Sequence, residues 1–145
     1  MNHLNNLLIE GTLVVDPEVV AIAKDSNNKL VRFSVASNRV YVDKANNKQK
    51  ETLFLTVIAW GSLADMCLKH LKKGTRGRFV GRLKMSKWET NSGERRSSYE
   101  LVAQHIEFMR QDLDKKQKMA NSTIVIEEKE GESDELSESS VVYTI

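Results

Sequence analysis

The run Thr52-Leu-Phe-Leu-Thr-Val-Ile-Ala-Trp60 leads directly into Gly61-Ser-Leu-Ala-Asp-Met-Cys-Leu-Lys-His-Leu-Lys-Lys-Gly74, and the change of period between them decides the fold. Up to Trp60 the residues are mostly β-branched, aromatic or leucine, which predicts a strand. It is apolar on both faces, as expected with core on one side and a binding surface on the other. Side chains alternate along a strand, so Phe54 and Trp60 share a face with Thr56 and Ile58. Leu53, Leu55, Val57 and Ala59 then form the core-facing set. Beyond Trp60, Leu63, Met66, Cys67, His70 and Leu71 recur at helical spacing. Ser62 is placed to cap this helix, with Asp65 at the third position. Lys69, Lys72 and Lys73 suit the negative end of its dipole, and Gly74 stops it.

Working outward, Leu4 to Val15 is rich in Leu, Ile and Val and ends at the turn initiator Asp16-Pro17, which predicts a first strand. After the turn Asp25-Ser-Asn-Asn28, a second strand runs from Leu30 to Asn38. Val31, Phe33 and Val35 lie on one face of it, and Arg32, Ser34 and Ala36 on the other. Residues 43 to 51 are polar apart from Ala45 and read as a solvated loop. A fourth strand, Arg76 to Ser86, sets Arg76, Arg78, Arg82 and Lys84 against Phe79, Leu83 and Met85. The polar turn Glu89 to Glu94 leads to a fifth strand, Ser98 to Phe108. Three strands, a helix and two strands is the order of the all-β, five-stranded OB barrel. Residues 1–110 are expected to form that domain and residues 111–145 a flexible acidic tail. From Glu127 the chain is acidic and serine-rich, a composition of disorder. Its apolar tip, Val142, Tyr143, Thr144 and Ile145, reads as either a partner-docking peptide or a frayed end.

The chain's 145 residues, 40% hydrophobic and 29% charged, suit one soluble domain plus a tail. Its longest apolar run is far short of the ~20 residues of a membrane span, so no membrane association is expected. No secretory signal is evident, and the lone Cys67 fits a reducing compartment. A cytoplasmic location is expected. Cys67, on the apolar face of the helix, reads as a small buried hydrophobe. His3, His70 and His105 have no ligand spacing with one another or with Cys67, so neither a metal nor a cofactor is expected. Without a phosphate loop, nucleophile elbow or paired-carboxylate motif, the chain is not expected to be an enzyme.

The net charge of +2 hides a split. Residues 121 to 145 carry seven acids against Lys129, a net of −6, which leaves residues 1 to 120 at +8. A basic body suggests a polyanion partner. Within residues 32 to 96, Tyr41, Phe54, Trp60 and Trp88 are interspersed with Arg32, Arg39, Lys72, Lys73, Arg76, Arg78, Arg82, Lys84, Lys87, Arg95 and Arg96. Flat rings stack on unpaired bases and cations follow phosphates, which is how proteins hold single strands without reading sequence. The row Arg76, Arg78, Arg82, Lys84 is either a solvated edge or a phosphate track. Lys87, Arg95 and Arg96 nearby favour the track. Phe33, Phe79, Tyr99 and Phe108 are assigned to core or interface.

Four ordered stretches carry a resemblance to a known family. They are Ile9-Glu-Gly-Thr-Leu13 with Asp16-Pro-Glu18; Phe33-Ser-Val-Ala-Ser37; Gly61-Ser-Leu-Ala64 with Leu71-Lys-Lys-Gly74; and Val80-Gly-Arg-Leu83 followed by Lys87-Trp88. Over residues 4 to 109 the chain resembles the bacterial single-stranded DNA-binding proteins. The resemblance implies an OB fold, a homotetramer, and a role in replication, recombination and repair. It also implies base stacking at four aromatic positions. Tyr41 lies just past the second strand, Phe54 and Trp60 at the ends of the third, and Trp88 in the loop after the fourth. Family tails end in several Asp followed by Ile-Pro-Phe, which recruits replication and repair proteins. Here the acidity and an apolar end survive, but the tripeptide does not.

The resulting expectation is sequence-independent binding and protection of single-stranded DNA, by stacking and a basic phosphate track. Two alternatives are a primosomal OB-fold dimer, which typically lacks an acidic tail, and an RNA-binding OB module of the cold-shock type.

Overall fold

The structure, a computed structural model, describes residues 1–109 and the backbone of 140–144. The expected acidic, disordered run from Glu127 and the end residue Ile145 lie outside the described residues, as does most of the expected 111–145 tail. The elements in chain order are β1 (Leu7–Leu13), β2 (Glu18–Ile22), β3 (Lys29–Val42), β4 (Lys48–Trp60), α1 (Gly61–His70), β5 (Arg76–Glu89), β6 (Arg95–Met109) and β7 (Ser140–Thr144). β1 pairs antiparallel with β5, β5 with β6, and β3 with β4. β4 and β6 meet in parallel at Thr56–Ile58 and Glu100–Val102, and β1 joins β3 at Thr12 and Leu13. These pairings close a five-stranded barrel with α1 between β4 and β5, the OB topology that the period change at Trp60 predicts.

The core follows from alternation. Val31, Phe33 and Val35 of β3, Val57 and Ala59 of β4, and Phe79 of β5 all point inward and are fully buried. Phe33 and Phe79 meet at the centre with ring centroids 5.6 Å apart. Leu63, Ala64, Met66 and Cys67 of α1 close one end of the barrel, so Cys67 is the buried hydrophobe expected. Burial pushes its thiol pKa up to about 12, leaving it unreactive at neutral pH. Each fully buried Val, Leu or Phe stabilises the fold by ~1.5–3 kcal/mol. In β6 one residue is extra: Val80 faces His105 whereas Gly81 faces Ala103, so Gln104 bulges and both Ala103 and Ile106 turn inward. Gly81 is required there. A Cβ at that position would lie 1.9 Å from the carbonyl oxygen of Val102.

Several local expectations are corrected. β3 and β4 run well past the barrel, and Lys48–Glu51 belong to β4 rather than to a loop. The reason is a tight turn in which Asp43 accepts the N–H groups of Asn47 at 2.8 Å and Ala45 at 2.9 Å. Those bonds, that of Asn47 foremost, hold the Asp43 carboxyl below its ordinary pKa. Because the hairpin projects from the barrel, Leu53 is 56% exposed instead of core. Leu83 and Met85 are exposed for the same reason on the projecting β5–β6 hairpin; Tyr99 is exposed there too, which takes it out of the core and leaves the interface reading. The α1 N-cap is Trp60 with no side-chain cap bond, so Ser62 does not cap. Gly61 begins α1 at φ +62°, a left-handed conformation that favours glycine. Asp65 instead pairs with Lys29 at 3.6 Å. Two strands were not foreseen: β2, which adds to β3, and β7, which adds to β6.

Candidate nucleic-acid interface

Strand register determines which predicted residues share a surface. On the outer face of β3 and β4, Trp60 lies opposite Leu30, Ile58 opposite Arg32, Thr56 opposite Ser34, and Phe54 opposite Ala36. Across the parallel seam, Ile58 aligns with Val102 and Thr56 with Glu100. Those two in turn face Arg82 and Lys84 of β5, and further along the same parity Trp88 faces Arg96. One continuous face therefore carries Phe54, Trp60, Trp88, Arg32, Arg82, Lys84 and Arg96. Between the rings lie the small side chains Ser34, Ala36, Thr56, Ser86 and Ser98, with Ile58, buried beside Val102, next to Trp60. Phe54, Trp60 and Trp88 are 65%, 42% and 47% exposed. Such large rings normally bury themselves unless something else covers them. Phe54 and Trp60, six residues apart, are separated by ~20 Å along the strand.

Each tryptophan borders an open recess. One of about 610 Å³ is lined by Ala23, Asn28, Trp60, Gly61 and Ser62. The other, of about 500 Å³, is lined by Lys87, Trp88, Glu89, Arg95, Arg96 and Ser97 at the end of the β5–β6 hairpin. Trp88 thus belongs to a strand, not to the loop that the family comparison implied. Among the described residues Arg32, Arg82 and Lys84 make no ion pair, so their charges face solvent. Arg96 has a single contact, its Nη2 lying 3.3 Å from the Glu94 carboxylate.

The remaining predicted residues lie elsewhere. Tyr41 is also in a strand, and by register it lies opposite Gln49, on the hairpin face away from Phe54. Arg39, on that same side, stands 4.8 Å above the Tyr41 ring and pairs with Glu51 at 3.3 Å. One face of the Tyr41 ring is already covered. Lys87 and Arg95 also have the opposite parity to Trp88, facing Ser97 and Glu89. Lys72 and Lys73 sit beyond α1, where the Lys73 N–H donates to Asp16 Oδ1 at 2.7 Å.

Arg76 and Arg78 are on the outer side of β5 but against β1. Arg76 Nε donates to Glu10 Oε1 at 2.8 Å, and its Nη2 also binds that oxygen. Arg78 Nε donates to Glu10 Oε2 at 3.1 Å and its Nη1 lies 3.7 Å from Glu107. Hydrogen bonds from the two guanidiniums hold the Glu10 carboxyl below its ordinary pKa, and Glu10 raises that of Arg78 in return. The basic row expected along β5 is therefore divided into an internally neutralised half and an open half.

The sequence reading overlooked Lys48 and Lys50. They continue the parity of Thr52 and Phe54 toward the hairpin tip and are exposed. The signal, alternation through Lys48-Gln-Lys-Glu-Thr-Leu-Phe54, was present but polar enough to pass for a loop. Asn5 was also missed. Its side chain makes two bonds with the Leu83 backbone, at 2.8 and 2.9 Å, and anchors the β5 hairpin.

Residues 4–109 match the Single-strand binding protein family. The chain belongs to that family. This family member is 33% identical over 75% of its length to the single-stranded DNA-binding protein of Thermotoga maritima, covering 76% of the relative. It is 33% identical over 73% of its length to single-stranded DNA-binding protein 1 of Chlorobaculum tepidum, and spans 65% of that protein's length. Among solved structures it resembles the Plasmodium falciparum SSB complex with ssDNA at TM-score 0.63 and 25% identity, covering 71% of this chain and 89% of the other. As a family member it is a binding protein and not an enzyme. Among the described residues, no His, Cys, Asp and Glu cluster could hold a metal ion, and no helix is long and apolar enough to cross a membrane.

Proposed function

We propose that this family member binds single-stranded DNA without reading its sequence, in support of replication, recombination and repair. Bases stack on Phe54, Trp60 and Trp88, while Arg32, Arg82, Lys84, Arg96, Lys48 and Lys50 follow the phosphates. The observation that carries this reading is the shared face: register aligns the exposed rings with Arg32, Arg82 and Lys84, which make no ion pair among the described residues, and with Arg96. Each stacked base contributes ~1–3 kcal/mol, and any base offers a π-face, so the mechanism tolerates every sequence. One barrel covers only ~4–16 nucleotides. We further propose a homotetramer, working in the cytoplasm, that wraps one strand over several barrels. Supporting it, Leu8 on the outside of β1 is 65% exposed, and among the described residues Leu7–Gly11 pair only with β5. In our reading the domain ends near residue 110 and the remainder is an acidic tail.

Titration of intrinsic fluorescence with oligo-dT, duplex DNA and a matched RNA at two salt concentrations tests the binding claim. Quenching by oligo-dT well in excess of that by duplex and RNA is the expected result. Preference for RNA would favour the RNA-binding OB module, and no quenching would make the rings structural. Sedimentation equilibrium distinguishes the tetramer from a primosomal-type dimer.

A further inference from the structure

The outer edge of β6 from His105 to Met109 is occupied by the chain's own end. Ser140–Thr144 pair antiparallel with it, Val142 opposite Glu107 and Thr144 opposite His105. β6 bonds to β4 only at residues 100–102, so past the bulge at Gln104 it departs from the parallel seam. This leaves that edge of β6 without a β4 partner, near α1, whose His70 ring stacks on Phe108 of β6 at 5.6 Å. β7 pairs with that edge and lies next to α1.

We propose that the His105–Met109 edge is a strand-addition site for a short extended apolar peptide, with Ser140–Thr144 its resident, displaceable ligand. A sheet edge displays a row of backbone donors and acceptors, a template for any extended segment. The sequence Ser140-Val-Val-Tyr-Thr144 has the β-branched and aromatic composition of a strand. Thirty residues, 110 to 139, separate it from Met109. Closure entropy grows slowly with loop length, so such a connection remains compatible with docking in cis. A tether also places the segment at an effective concentration in the millimolar range, enough to hold a weak ligand. The few backbone hydrogen bonds gained and the cost of ordering five residues are of similar size. Docking is consequently reversible. While docked, Ser140–Thr144 occupy the edge; once released, they leave it open to another extended segment. The proposal does not rest on DNA binding, and its test contains no nucleic acid.

The test uses the full chain carrying Glu107→Cys and Val142→Cys. Directly opposed positions of an antiparallel pair fit the Cα spacing of a disulfide. Cys67 is buried and does not compete. Mild oxidation is expected to give an intramolecular crosslink that migrates as a single chain on a non-reducing gel. A covalent dimer would overturn the assignment in cis and make β7 a clasp between copies. Absence of any crosslink would remove the pairing itself. Displaceability is read separately with a fluorescent Ser140–Thr144 peptide. The full-length Val142→Pro variant, which cannot complete the ladder, should bind it on the order of tenfold more tightly than the unmodified chain. Equal binding by both, or none by either, refutes the edge as a peptide site.

Discussion

The division of the β5 basic row yields a paired experiment. Arg76 and Arg78 are committed to Glu10, whereas Arg82 and Lys84 make no ion pair and lie on the aromatic face. For single strands, log affinity falls with log salt at a slope of about −0.7 per neutralised phosphate. Replacing Arg82 and Lys84 with glutamine should therefore reduce the slope by ~1.4 per occupied barrel. Between ~50 and ~200 mM salt, a range of ~0.6 log units, the affinity gap between parent and variant should narrow about sevenfold. Replacing Arg76 and Arg78 with glutamine should leave the slope unchanged, because Glu10 and Glu107 together already neutralise them and those ion pairs are not exchanged for phosphate. Fluorescence titrations with oligo-dT at four salt concentrations give both slopes. Equal reductions in the two variants would refute the division, showing that Glu10 releases its arginines to the strand. No reduction in either would place the phosphates elsewhere.

Trp60→Ala and Trp88→Ala should each weaken oligo-dT binding by ~1–3 kcal/mol with little change in thermal midpoint, whereas Tyr41→Ala, on the other hairpin face, should cost far less. Phe33→Ala, at the core centre, should instead lower stability by ~3–5 kcal/mol in urea denaturation. Gly81→Ala drives a Cβ into the Val102 carbonyl, so it should destabilise by at least ~1–3 kcal/mol, and a wild-type denaturation midpoint would contradict the bulge geometry. Glu10 has a folded pKa below its ordinary 4.5, so its contribution is present above that pH and is lost as pH falls through the lower folded value. Glu10→Gln should therefore flatten the decline of thermal midpoint below about pH 4.5; a profile identical to the parent's would mean the ion pair does not form.

Much of the architecture was legible because its signals are local. The switch from alternation to helical spacing at Trp60 is a property of neighbouring residues, and it marks where the barrel strand ends and α1 begins. Alternation alone also divided β4 into a face with Phe54 and Trp60 and a face with Val57 and Ala59, and burial agrees for both pairs. Strand ends were less legible. Lys48 to Glu51 read as loop because a projecting hairpin is solvated on both faces and so lacks an apolar period. β2 went unnoticed for a related reason, since all five of its residues are exposed and its stability comes from the β3 ladder. Composition could point to rings and cations in plenty, but not to their neighbours. Only the tertiary register brings Trp88 and Arg82 beside the face bearing Phe54 and turns Tyr41 away from it. Only the closed β1–β5 pairing delivers Glu10 to Arg76 and Arg78, across 66 and 68 residues of chain. Side-chain period is set within a few residues and survives in the sequence, whereas register and charge pairing are set between segments far apart and exist only once the barrel closes.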